Sequence, residues 1–243
     1  PQKAVYVDEE RKINIDRAKC DKCMQCVEFC FARGLQAVAN PMTAEEILAE
    51  VVQDKGFYDA TGGGMTISGG EMLSHAEFVA KLVDQAAEQG IRACLDTSGY
   101  GDGSALLSLA RRENVTHILY DMKSIDDEVH MAYTGRSNGS ILENLRRLAE
   151  DPVTHDKLLM RMPLIQGVND TAAIIEQTAA FYRRYQIRQL TLLPYHDFGV
   201  PKSGNIGETP ERFSPPAPER IEEIRRYFCE TAGMQVEVLG VVK

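Results

Sequence analysis

The chain has 243 residues, with 27 Lys and Arg against 36 Asp and Glu, for a net charge of −9. Apolar residues make up 44% and charged residues 26%, a mixture that excludes an intrinsically disordered chain. No run approaches the ~18 apolar residues of a membrane span, no charged-then-apolar signal segment opens the chain, and the acidic balance argues against nucleic-acid binding, which needs a basic face.

In chain order, residues 4–7 and 13–15 read as short strands. A cysteine cluster follows and ends in a helical turn, and residues 35–38 read as a further strand. Asn40-Pro41 closes this first unit, which spans residues 1–42. Thr43-Ala44-Glu45-Glu46 has the form of a capping box, in which hydroxyl and carboxylate each satisfy a free backbone donor. It opens a helix over 44–54 with Ile47, Leu48 and Val51 on one face.

Residues 43–243 form the second unit, in which strand and helix alternate. Strands are predicted over 65–67, 91–95, 117–120, 158–162, 189–193 and 236–242. Helices are predicted over 76–89, 103–113, 141–150, 172–185 and 218–232. The helix over 76–89 is expected to turn Phe78, Val79, Leu82, Val83 and Ala86 inward. Such alternation means a parallel sheet with helical crossovers.

Polar residues recur at the strand ends. Ser68-Gly69-Gly70-Glu71 follows the first of these strands, Asp96-Thr97-Ser98-Gly99 the second, and Asp121-Met122-Lys123 the third. Arg161 ends the fourth, and Tyr195-His196 follows the fifth. A barrel assembles its site from several strand ends at once, whereas a Rossmann sheet concentrates its signal at one switch point. The pattern therefore favours a partial barrel. Glu71, Asp96, Asp121, Lys123, Arg161 and His196 on one face suit a zwitterion, with carboxylates for an amine and cations for a carboxylate. Read singly, Asp96 or Asp121 could be a helix cap, Arg161 a surface charge and His196 a half-buried structural histidine. His75, His117, His130 and His155 lack metal-ligand spacing and read as structural or surface residues. No Ser–His–Asp or Cys–His arrangement is legible, so no catalytic side chain is assigned.

Four of the six cysteines are Cys20, Cys23, Cys26 and Cys30. Their spacing, Cys-x2-Cys-x2-Cys-x3-Cys, is that of a bacterial-ferredoxin iron–sulfur loop. Zinc sites more often pair two CxxC motifs across a longer loop. The proline that usually follows the fourth cysteine is Phe31 here. There is no second run, so either all four thiolates hold one cluster or Cys30 points elsewhere; the spacing leaves both open. Cys94 and Cys229 read as buried small apolar residues. The glycines of 62–64 and 69–70 form neither a Walker loop nor a GxGxxG fingerprint.

Taken together, these segments resemble the glycyl-radical-enzyme activating enzymes of the radical SAM superfamily, including the pyruvate formate-lyase activating enzymes. The resemblance is carried by Asp54-Lys-Gly-Phe-Tyr58, Gly62 to Glu71, Leu95-Asp-Thr-Ser-Gly99, Tyr120-Asp-Met-Lys123, Thr134-Gly135, Ile141-Leu-Glu-Asn144, Arg161 to Ile165 with Gly167 and Asn169, and Leu192-Leu-Pro-Tyr-His196. It covers roughly residues 43–200. It implies an α/β fold: a partial (β/α)6-type radical SAM barrel with a small ferredoxin-like iron–sulfur insert at the N-terminal end.

The resemblance also implies a chemistry. Reductive cleavage of S-adenosyl-L-methionine at a 4Fe–4S cluster would generate a glycyl radical on a partner enzyme. Gly69, Gly70 and Glu71 would hold the methionyl amine. Asp96, Thr97, Asp121, Lys123, Arg161 and His196 would line the rest of the site, and Asp96, Thr97 and Asp121 are further candidates for a monovalent cation. Cys20, Cys23, Cys26 and Cys30 would hold an accessory 4Fe–4S cluster. The implied partners are a glycyl radical enzyme and a flavodoxin or ferredoxin as electron donor, in a reducing, largely anaerobic cytoplasm, with neither nucleic acid nor membrane.

Two departures from the family stand out. The catalytic cluster of the family sits on a CxxxCxxC loop, and no such run occurs in this sequence. The chain is therefore expected to lack its N-terminal strand and cluster loop. Met72 stands where the family usually has proline. The competing readings are a non-catalytic iron–sulfur electron-transfer or docking module derived from the same family, and a radical SAM enzyme acting on a small molecule.

Overall fold

The computed structural model describes residues 2–199, 204 and 211–240. The chain divides into two compact units; the first takes it up to Thr43 and the second begins at Ala44.

In the first unit, β1 (Val5–Val7) and β2 (Ile13–Ile15) pair antiparallel, Val5 opposite Ile15. Asp8 shapes the turn between them. Its Oδ1 accepts from the Lys12 N–H at 2.8 Å and its Oδ2 from Asn14 Nδ2 at 2.6 Å. A single helical turn, α1 (Gln25–Glu28), lies inside the cysteine cluster. Residues 35–38 do not form the expected strand. A strand needs a ladder partner, and β1 and β2 pair only with each other.

The second unit is a six-stranded parallel sheet: β3 (Gly64–Ile67), β4 (Arg92–Thr97), β5 (Val115–Asp121), β6 (Leu158–Leu164), β7 (Gln189–Pro194) and β8 (Gln235–Val238). The strands lie side by side in chain order, without the order reversal of a Rossmann sheet. This is the partial-barrel arrangement expected from the strand-end pattern. The helices are α2 (Ala44–Val51), α3 (Lys55–Thr61), α4 (Ala76–Glu88), α5 (Gly103–Ala110), α6 (Asp127–Thr134), α7 (Gly139–Glu150), α8 (Ala172–Arg184) and α9 (Pro218–Ala232).

Strand periodicity positions the site. In β6, Leu158, Met160, Met162 and Leu164 are buried in the core. Side chains alternate across a strand, so Arg161 faces away from them. In β5 the same rule buries Ile118 and Tyr120 and turns Asp121 to the other face. The core on the helix side includes Val83, Leu95, Leu106, Leu145, Tyr182 and Phe228, all of them inaccessible to solvent.

Several boundaries differ from expectation. Phe78 is exposed, not inward. The buried stripe of α4 is Val79, Leu82, Val83 and Ala86, and Phe78 lies about 100° off Val79 on the helix. α3 and α6 fall on stretches without a clear apolar stripe. Asp126 starts α6 by accepting from the Val129 N–H at 3.0 Å. α5 ends at Ala110, short of the expected residue 113. The last strand ends at Val238, short of the expected 242; residues 239 and 240 are not in it, and residues 241 and 242 lie outside the described residues.

One buried carboxylate makes stability pH-dependent. The Asp151 side chain is 6% exposed and is held by the Arg111 guanidinium and by the N–H groups of Val153 at 3.0 Å and Thr154 at 3.1 Å. The hydrogen bond from Arg111 is the main cause that holds its pKa below the usual carboxylate value. A lowered folded-state pKa contributes stability that is full above the unfolded value, about 3.9, and is lost as the pH falls through the folded value. Asp151→Asn should therefore flatten the acid limb of the curve of Tm against pH. An acid limb as steep as in the parent chain would show that other carboxylates set it.

Candidate functional site

The strand-end constellation lies in the second unit: Asp96 and Thr97 close β4, Asp121 closes β5, and Gly69 to Glu71, Lys123 and His196 follow β3, β5 and β7, whereas Arg161 stands inside β6, which runs on to Leu164 instead of ending there as expected. After β3 the chain turns through Gly69, whose φ of +149° lies in the range that favours glycine. A Cβ placed on Gly69 or Gly70 would meet nothing within 4 Å, so the backbone here is open to a ligand.

Glu71 is not open in this way. Its Oε1 accepts from Thr97 Oγ1 at 2.6 Å and the Leu73 N–H at 3.1 Å. Its Oε2 accepts from the Ser98 N–H at 2.9 Å and the Ser98 hydroxyl at 2.5 Å. The carboxylate thus locks the β3 loop to the β4 loop. Of the three residues that the resemblance gives to the methionyl amine, only Gly69 and Gly70 present unencumbered backbone. Thr97 is buried and passes the contact on, accepting from the Gly99 N–H at 2.9 Å. Met72 is buried and opens a short 3-10 turn, so its departure from the family pattern is absorbed by packing.

The charged centre is Arg161. Its guanidinium bridges two carboxylates: Asp96 through Nη2, and Asp121 through Nε at 2.9 Å and Nη2 at 2.8 Å. Asp121 is its register partner on the neighbouring strand, which accounts for the close approach. Lys123 Nζ donates to the other oxygen of Asp121 at 2.7 Å, and the Ser68 hydroxyl donates to Asp96 Oδ2 at 3.1 Å. About a fifth of each of the Asp96, Asp121 and Arg161 side chains is exposed: 18%, 18% and 22%. His196 lies exposed, two residues past β7.

Sequence reasoning gave no role to Ser68, Ser98 or Asn169. Asn169 is buried and ties two strand ends together: Nδ2 donates to the carbonyls of Lys123 at 2.8 Å and Pro163 at 2.6 Å, and Oδ1 accepts from the Ile165 N–H at 2.9 Å. The Gly167-x-Asn169 spacing was the available signal.

In the first unit the four cluster cysteines are free thiols. Cys30 Sγ accepts from the Leu35 N–H at 3.3 Å. Among the described residues no three His, Cys, Asp or Glu side chains converge on a metal position, so the structure does not gather these sulfurs. Cys94 and Cys229 are half-buried, and burial pushes the Cys94 thiol pKa up. Of the remaining histidines, His75 and His117 are exposed, while His130 and His155 bond backbone carbonyls at 2.7 Å.

Comparison with known proteins decides the family. Residues 22–178 match the Radical SAM superfamily, a stretch that takes in Cys23, Cys26, Cys30 and the strand-end residues from Gly69 to Arg161. The chain belongs to the radical SAM superfamily.

Curated relatives of this radical SAM chain are activating enzymes. It is 33% identical to the trans-4-hydroxy-L-proline dehydratase activating enzyme of Clostridioides difficile, over 99% of this chain and 79% of that one. It is 35% identical to the isethionate sulfite-lyase activating enzyme of Desulfovibrio desulfuricans, over 85% of this chain and 66% of that one. A domain of a pyruvate-formate lyase-activating enzyme from Bacteroides vulgatus superposes with a TM-score of 0.60 at 29% identity, covering 73% of this chain and 99% of that one. The chain spans just under two thirds of the length of the isethionate sulfite-lyase activating enzymes it matches, 63 to 66%. No helix among the described residues is long and apolar enough to cross a membrane.

Radical SAM proteins work with a 4Fe–4S cluster and S-adenosylmethionine. The site fits the latter. Arg161 and Lys123 stand against Asp96, Asp121 and Glu71, leaving one net negative charge for a ligand that carries a sulfonium, an amine and a carboxylate. Both signs are presented, beside the open backbone of Gly69 and Gly70. The cysteine run fits a 4Fe–4S cluster in number and donor chemistry.

Proposed function

We propose that this chain is the S-adenosylmethionine-binding body of an activating enzyme that generates a glycyl radical on a partner enzyme. The observation that carries the reading is the Asp96–Arg161–Asp121–Lys123 network, which joins the C-terminal ends of β4 and β5 to the middle of β6, with the open Gly69–Gly70 backbone after β3. In this reading Lys123 and Arg161 receive the ligand carboxylate and the Gly69–Gly70 segment receives its amine. Asp96, Thr97 and Asp121, with His196, line the remainder. With an electron from a reduced 4Fe–4S cluster, S-adenosylmethionine supplies a carbon radical able to take a hydrogen atom from glycine. Cys20, Cys23, Cys26 and Cys30 hold an accessory 4Fe–4S cluster, a flavodoxin or ferredoxin is the electron donor, and the setting is a reducing cytoplasm.

Equilibrium dialysis of S-adenosylmethionine against the chain tests the reading. Saturable one-to-one binding is expected. Lys123→Ala should weaken it about tenfold, or about 1.4 kcal/mol, because it removes one charge-assisted hydrogen bond to the ligand carboxylate. Lys123 is 43% exposed, so the fold should tolerate the change. Absence of binding, with iron and sulfide still taken up by the cysteine run, would favour the non-catalytic electron-transfer or docking module instead.

A further inference from the structure

Thr134-Gly135, two of the residues that carry the resemblance, run on into Arg136 as a turn that the charged centre does not use. His130 beneath it is 4% exposed. Its Nδ1 lies 2.7 Å from the Arg136 carbonyl; a carbonyl only accepts, so Nδ1 carries the proton. The Thr134 hydroxyl donates to the His130 carbonyl at 2.7 Å and accepts from the Arg136 N–H at 3.3 Å. Just beyond, the Asn138 N–H donates to Asp127 Oδ1 at 2.7 Å, and Asn138 Nδ2 donates to the carbonyls of Ser124 at 3.1 Å and Ile125 at 2.9 Å. The turn is therefore fastened to both ends of α6.

What it presents is Arg136, exposed, with its guanidinium 6.0 Å over the ring of Tyr100. Tyr100 lies two residues past Ser98, which holds Glu71, so this pair stands at the rim of the site. Tyr133 on α6 is half exposed and contacts Phe213 edge-on, and Phe213 contacts Tyr195, the neighbour of His196. Among the described residues Arg136 has no carboxylate partner, whereas Arg111, Arg112, Arg146 and Arg161 each have one. Cation–π attraction to a ring uses none of the guanidinium N–H groups, which stay free for a bidentate carboxylate. Arginine and tyrosine are enriched among the residues that carry most of the energy of protein–protein binding.

We propose that Arg136, held over Tyr100 by the His130–Thr134 turn, anchors a carboxylate side chain of the polypeptide that enters the site. The inference deepens the proposed function and rests on it in one respect, that the substrate is a polypeptide. His130 and Thr134 are positioning residues, and Arg136 is the contact.

The test is an NMR titration of the 15N-labelled chain with the blocked tripeptide acetyl-Gly-Glu-Gly-amide, and with its Gln counterpart. Saturable shifts are expected at the Tyr100 amide and the Arg136 Nε–H, at least tenfold weaker with the Gln peptide and in Arg136→Gln. Thr134→Val keeps the charge but loosens the turn, and should weaken binding several-fold. Arg136→Gln should leave Tm and S-adenosylmethionine binding unchanged, which separates this proposal from the reading of the site. An equal response in Arg136→Gln, or no saturable response, would overturn the anchor. Undiminished binding in Thr134→Val would overturn the positioning role. S-adenosylmethionine binding that fails while the peptide response persists would sink the proposed function and leave the carboxylate anchor standing.

Discussion

Gly99→Ala is expected to lower Tm by roughly 10 °C. Gly99 sits at φ +75°, where a Cβ strains the backbone by about 1–2 kcal/mol. The larger effect is steric: that Cβ would lie 1.7 Å from the Tyr120 hydroxyl and 2.2 Å from Tyr120 Cζ. Tyr120 cannot yield easily. It is inaccessible to solvent, and its hydroxyl donates to the Ile141 carbonyl at 2.6 Å. Displacing it forfeits that bond and leaves a buried polar group unsatisfied, at about 1–3 kcal/mol. The sum, about 2–5 kcal/mol, is a large part of the ~5–15 kcal/mol that stabilises a typical domain, and about 2–4 °C per kcal/mol applies to a chain of this size.

The loop would suffer with the core. Asn144 holds the carbonyls of Gly99 at 2.9 Å and Gly101 at 3.1 Å, and Ser98 just before them holds Glu71. Gly70→Ala is the control. Its Cβ enters open space, so Tm should hold while S-adenosylmethionine binding weakens. A Gly99→Ala protein melting within about 2 °C of the parent, less than one kcal/mol at this size, would mean that Tyr120 does not stand behind the loop.

Arg161→Met should abolish S-adenosylmethionine binding and lower stability by about 2 kcal/mol. The substitution keeps the volume of the stem but leaves Asp96 and Asp121 with no shared cation. Breaking a fully buried pair costs about 3–5 kcal/mol; at about a fifth exposure solvent screens part of that. Arg161→Lys should restore little, because a single ammonium cannot reach both carboxylates as a planar fork does. Adding Asp96→Asn to Arg161→Met should recover part of the stability, since it removes the like charge left behind. Thermal melts of the four proteins in the Asp96 and Arg161 cycle give the coupling. Additive effects would show that Arg161 does not bridge the two aspartates.

By itself, the sequence determined the elements and the face on which they carry chemistry. Pro218 and the terminating Gly233 mark the bounds of α9, and the apolar period of 2 in β6 dictates that Arg161 leaves the core side. Polar residues at or past the ends of four strands, with Arg161 inside a fifth, mark the face of the sheet that carries the candidate site. These are local properties of the chain, and they survive any detail of packing. The spacing of Cys20 to Cys30 likewise states a donor set, because it is a property of composition and order.

The tertiary structure decided who meets whom. By residue type, Glu71 reads as a carboxylate for a ligand amine. Only the juxtaposition of the β3 and β4 loops brings Thr97 and Ser98 to it and saturates its oxygens. The pairing of β5 with β6 makes Arg161 and Asp121 neighbours forty positions apart. Residues 35–38 have strand-forming composition but no free ladder to join, and α6 forms on a cap and a buried histidine rather than on an apolar stripe. In each case the missing information is long-range. A buried or half-buried polar group takes whichever partner the fold delivers, and that partner is distant in sequence.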